Sequence, residues 1–137
     1  MKNSFFAFVL CLTTIAPVTS FAVDWKKIHQ NNLGDVLSID PESIKHDGDL
    51  VRYREQIIFV TPRPLKNGLQ LKILKTKYAI NCANRTSAPL DFEGLAVDGQ
   101  LIKLDSSDTV NPTFVAVSSS SNSPDAITFN YFCPDHK

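Results

Sequence analysis

Beyond residue 22, apolar and polar residues alternate with period two over most of the chain, and the breaks between alternating segments carry turn residues. From Leu50 to Val60, Val51, Tyr53, Ile57 and Phe59 alternate with Arg52, Arg54, Gln56 and Ile58. This predicts a strand with one apolar face and one largely basic face, with Glu55 falling on the apolar side. Leu69 to Cys82 reads as the next strand, but its alternation slips. Leu69, Leu71 and Ile73 share one phase, whereas Leu74, Thr76, Tyr78, Ile80 and Cys82 share the other, so a β-bulge is expected at Ile73-Leu74. Counted through that bulge, Lys72, Lys75 and Lys77 lie on the polar side. Ala88 to Val97 alternates again, and Asp98-Gly99 marks a hairpin into Gln100 to Leu104.

The remaining segments are shorter. Val23 to Gln30 reads as a strand with Trp25 as a core anchor, and Asn31-Asn32-Leu33-Gly34 breaks the chain before a strand over Val36 to Asp40. Pro41-Glu42-Ser43 is expected to turn the chain, and His46-Asp47-Gly48-Asp49 to reverse it tightly. Thr61 to Gly68 holds two prolines and reads as a loop. Asn111-Pro112 precedes a short strand over Thr113 to Val117, and Ser118 to Ser123 is a low-complexity loop. Ser123-Pro124-Asp125 then supplies an N-cap, a first-turn proline and an acid at the positive end of a helix dipole. A short helix is predicted over Pro124 to Phe132, against the β preference of Ile127-Thr128-Phe129. The expected class is α+β: mainly an antiparallel sheet of five to six strands with a short C-terminal helix.

Residues 1–22 do not fit this pattern. Lys2 and the apolar run from Phe5 to Ile15 lead to Pro17 and the small-residue site Ser20-Phe21-Ala22, which reads as an export signal cleaved after Ala22. The run is too short to span a bilayer, which takes about 20 residues, and no later segment comes close. Cys11 lies inside the run and follows Leu10, so it does not read as a lipidation site. A single domain over 23–137 remains, with two cysteines, Cys82 and Cys133. In an oxidising compartment these form one intramolecular bridge, two buried thiols or an intermolecular link.

Several features together resemble the surface-adhesin protein E family and, less closely, the neisserial CNP1-like family. They are Trp25, the turn Ser38-Ile39-Asp40-Pro41-Glu42-Ser43-Ile44, the Gly48 turn into Val51-Arg52-Tyr53, Tyr78-Ala79-Ile80-Asn81-Cys82 and the closing Tyr131-Phe132-Cys133. The resemblance implies an antiparallel sheet with helical cover, a Cys82 to Cys133 disulfide, a homodimer among the assemblies, and adhesion to host extracellular-matrix proteins. No cofactor and no catalysis are expected.

Charge changes the picture further. The whole chain is neutral, with 14 basic and 14 acidic residues, so no global field drives binding to nucleic acid or to anionic membrane. Yet residues 45–85 hold nine basic and three acidic groups, whereas 86–137 hold two basic and seven acidic. Pairing the two long strands would crowd Arg52, Arg54, Lys72, Lys75 and Lys77 onto one face, where like charges opposite each other are unfavourable. Two readings follow. Asp91 and Glu93 on the next strand compensate them in exposed pairs, or the face is a patch for an acidic protein partner or sulfated glycan. Nucleic acid suits an exported chain least.

Other chemistry has little support. His29, His46 and His136 stand apart without metal or nucleophile spacing, and His46-Asp47-Asp49 reads as an ordinary turn. Phe129, Tyr131 and Phe132 read as core, or as an apolar contact surface. The expectation is therefore an exported non-enzymatic binding domain in periplasm, cell surface or medium, with a periplasmic accessory protein acting by assembly as the alternative.

Overall fold

The computed structural model describes residues 22–104 and 112–136. The export segment with Cys11 and its cleavage residues Ser20 and Phe21, and Asn111 of the turn before Thr113, lie outside the described residues. Among the described residues, seven strands form one sheet: β1 Lys26–Gln30, β2 Val36–Asp47, β3 Leu50–Pro64, β4 Gln70–Asn81, β5 Thr86–Ala96, β6 Leu101–Leu104 and β7 Val115–Ala116. Strands β1 to β6 lie side by side in chain order, every pairing is antiparallel, and β7 adds to β5. This is a meander, in which each hairpin is closed locally. Gly48 and Gly99 occupy two of the turns at φ 58° and 87°, a region that favours glycine.

The helix α1 spans Pro124–Phe132, as its capping residues predict, and is followed by a single 3₁₀ turn at Pro134–His136. Ser123 accepts the Ala126 N–H, and Asp125 lies in the first turn. Local β preference loses here because Thr128 and Phe129 are fully buried against the sheet, and packing outweighs propensity. The helix covers one face, the inner face, where Ile39, Val51, Tyr53 and Ile80 meet Ala126 and Phe129. The Cys82–Cys133 disulfide joins the end of β4 to the residue after α1. A smaller apolar cluster of Leu71, Ala96 and Ile102 is extended by Phe59, Leu65 and Leu69.

Four expectations are corrected. Strand β2 does not turn at Pro41-Glu42-Ser43 but continues to Asp47, with its register against β3 shifting between Asp40 and Lys45. The extra residues are held locally, since Ser43 Oγ donates to the Asp40 carbonyl at 2.7 Å and Asp40 accepts the Glu42 N–H at 3.1 Å. Strand β3 likewise runs through Pro62 to Pro64 and pairs Arg63 with Leu71 and Pro64 with Gln70. Its β2 pairing ends at Ile58, so these prolines sit where one flank is open and a missing N–H costs no ladder bond.

The β4 bulge falls at Lys72, between the pairs Leu71 with Ala96 and Ile73 with Leu95, earlier than Ile73-Leu74. Finally, Trp25 is half-buried and lines a cleft, rather than anchoring the core.

Candidate functional site

The antiparallel registers place three rows of side chains across the other, outer face. The first row runs Asp40, Arg54, Lys77, Asp91. The second runs Ser38, Gln56, Lys75, Glu93, Lys103. The third is aliphatic: Val36, Ile58, Ile73, Leu95, Leu101. In the first row the cations of β3 and β4 are flanked by the acids of β2 and β5, and in the second Glu93 of β5 lies between Lys75 of β4 and Lys103 of β6. Cross-strand opposite charges stabilise such pairings, so the face that looked overloaded in sequence is largely balanced in space. Lys77 and Asp91 lie 2.9 Å apart, with more than a third of each side chain exposed, which limits the pair to about 0–1 kcal/mol. Arg54 pairs with Asp40, a carboxylate that is itself 1% exposed.

The five basic residues singled out in sequence are therefore not one cluster. Arg54, Lys75 and Lys77 line an open cleft of about 550 Å³ with Asp91, Glu93 and Lys103, and Val23 and Trp25 close one side of it. Arg52, Arg54 and Lys77 line a second open cleft of about 390 Å³ with Lys45, Glu42 and Leu90. Lys72 belongs to neither. Its bulge turns the ammonium onto the backbone of β3, where it donates to the Phe59 carbonyl at 2.6 Å and the Val60 carbonyl at 3.3 Å.

Sequence reasoning missed Lys45, because the supposed turn at Pro41 hid the fact that β2 carries it onto the same face. It also missed the aliphatic row. The signal was present in the alternation itself, since Ile58 shares its phase with Arg52, Arg54 and Gln56.

The inner face has different electrostatics. Glu55 is 4% exposed beneath α1, and its pKa is pushed up to about 8, chiefly by burial. Tyr53 donates to it at 3.4 Å. Burial also raises the Tyr78 hydroxyl, to about 12. At the base of β2, Asp35 is held below the usual carboxylate range, chiefly by the Val60 N–H, with Asn31 and Arg63 adding to the effect. No group of three His, Cys, Asp or Glu side chains suited to a metal ion exists among the described residues. No helix among them is long and apolar enough to cross a membrane. What the outer face offers is ion pairing, hydrogen bonding and apolar contact.

Known structures share this architecture. Haemophilus influenzae protein E is similar with a TM-score of 0.55 at 14% identity, over 89% of this chain and 92% of that one. Its second crystal form gives 0.54 at 15% identity, over 89% and 96%. Protein E from non-typeable Haemophilus influenzae gives 0.52 at 14%, over 83% and 79%. Likeness at that identity establishes the fold. No curated protein matches the sequence. The profile of the family described as surface-adhesin protein E matches residues 25–134, nearly the whole described sheet and helix, and the chain belongs to that family.

Proposed function

We propose that this chain is an exported, non-enzymatic adhesin domain that contacts a host extracellular-matrix protein through the outer face of its sheet. The observation that carries the reading is the asymmetry of the sheet. Its inner face is filled by α1, whereas the outer face presents Arg52, Arg54, Lys75 and Lys77 around two open clefts. Family membership supports an adhesive role, and the export signal read in residues 1–22 supports a location outside the cytoplasm. Lys72, held on the backbone, stands at the margin of this surface.

The reading predicts salt-sensitive binding to a solubilised matrix extract, because exposed charges are screened within about 8–10 Å at moderate ionic strength. Replacing Lys75 and Lys77 by Glu should abolish that binding while leaving the fold intact. Unchanged binding by the folded double variant would remove this face from consideration.

The aliphatic row from Val36 to Leu101 favours a second reading, an envelope accessory protein that assembles through the same face as a homodimer or with another protein. That version requires a stable oligomer with little salt dependence, and light scattering showing monomer at all concentrations would count against it.

A further inference from the structure

We propose that the smaller outer-face cleft is a carboxylate-binding site that receives an acidic side chain from a polypeptide segment of the partner, with Lys45 and Arg52 as its principal ligands. The proposal deepens the adhesin reading, and rests on it for the identity of the partner as a protein.

Two irregularities build the cleft. The β2 register shift between Asp40 and Lys45 places Glu42 and Ser43 at one wall, and the β4–β5 shift between Lys77 and Tyr78 places Leu90 at the other. Bulges of this kind bend a strand and re-aim its side chains, and they recur at functional positions. Ser43 fixes the wall to β3, since its Oγ accepts the Arg54 N–H at 2.8 Å.

The charges within the cleft are not equivalent. Arg54 is neutralised by Asp40 and Lys77 by Asp91. Lys45 and Arg52 have no such partner among the described residues. They are register partners, both exposed, and the next residues in their row are Ala79 and Ala88. Arg54 and Lys77 also stand opposite each other, but each has a carboxylate on its other flank, Asp40 or Asp91. Lys45 and Arg52 face each other without one, an unfavourable arrangement that an anion between them would reverse. A guanidinium offers a planar fork that matches a carboxylate, and a lysine adds a mobile point charge.

The surroundings select the class of anion. Glu42 lines the same cleft, and Asp91 and Glu93 line the adjoining one. A continuous polyanion such as a sulfated glycan would leave the cleft over these carboxylates on either side. A peptide that presents one acidic side chain next to an apolar one avoids them, and Leu90 supplies an apolar contact.

The test titrates the chain 23–137 with N-acetyl-glutamyl-leucine amide, its glutaminyl counterpart and a heparin-derived hexasaccharide, following backbone and arginine side-chain NMR signals. The glutamyl compound should shift residues around Ser43, Lys45 and Arg52 in a saturable way, and the glutaminyl compound should not. R52Q and K45Q should each weaken that response about tenfold or more, and should leave or raise the melting temperature, whereas K75E, in the adjoining cleft, should retain it. Equal response to the glutaminyl compound, no response at all, or preference for the hexasaccharide would overturn the proposal. If K45Q/R52Q leaves binding to matrix extract unchanged while K75E/K77E abolishes it, this site fails and the adhesin reading stands. Binding of the glutamyl compound by a protein that ignores the extract would reverse that outcome.

Discussion

The two faces of this sheet are built from the same strands and alternate residues, yet they answer to different constraints. On the inner face, Ile39, Val51, Tyr53 and Ile80 are each at most 3% exposed, and their neighbours across the interface come from a helix stapled by Cys82–Cys133. Changes there act on folding. On the outer face, the cation of each ion pair lies near solvent, and a pair exposed on both sides, as Lys77 with Asp91 is, contributes little to stability. Such positions can change with small cost to the fold, which leaves them free to serve recognition.

Breaking the inner face should have the largest effects. Phe129→Ala would empty a fully buried ring site and cost about 3–5 kcal/mol, read as a lowered denaturant midpoint with the slope preserved. Removing the disulfide should cost about 4 kcal/mol, because the closed loop of about 52 residues regains its freedom in the unfolded chain.

Glu55 gives the inner face a pH dependence. Its carboxyl is raised from an ordinary 4.5 to about 8 in the folded chain, so the native state holds a proton that the unfolded state releases. Stability should therefore fall as pH rises from about 4.5 to 8, by up to about 5 kcal/mol. Asp35 and Asp125, both with lowered pKa values, oppose this only at the acidic end, where their stabilisation is lost as pH falls. Glu55→Gln should flatten the fall between pH 4.5 and 8; an unchanged slope would show that Glu55 is not its source.

Smaller effects sharpen the contrast. A Cβ on Gly94 would lie 2.7 Å from Leu71 Cδ1 and 3.4 Å from Ile102 Cβ, so Gly94→Ala should cost about 1–3 kcal/mol through overpacking unless Leu71 yields. On the outer face, a double-mutant cycle on Lys77 and Asp91 should return a coupling of no more than about 1 kcal/mol, falling with added salt. A coupling several times larger would mean that this face is structural after all.

The strands, the Asp98-Gly99 hairpin and the helix were legible because each rests on local chemistry: alternation, a turn glycine, a cap. The family was legible from the order of its turns and cysteines. The path of β2 was not, since Pro41-Glu42-Ser43 has turn composition, and only pairing with β3 decides between a reversal and a bulge. The same holds for Pro62 and Pro64, whose tolerance depends on β2 having ended. Register also separated the basic residues, sending Lys72 to the backbone and bringing in Lys45, and a one-dimensional charge count cannot contain that information.

The most direct test of the division between the faces is lysine footprinting of the chain 23–137 bound to a solubilised matrix extract. Lys45, Lys75 and Lys77 should be protected from acetylation. Lys26, whose ammonium donates to the Tyr131 hydroxyl on the helix side, should react as it does in the free protein. Protection of Lys26 with the outer lysines still reactive would place the contact on the helix-covered side and contradict the account.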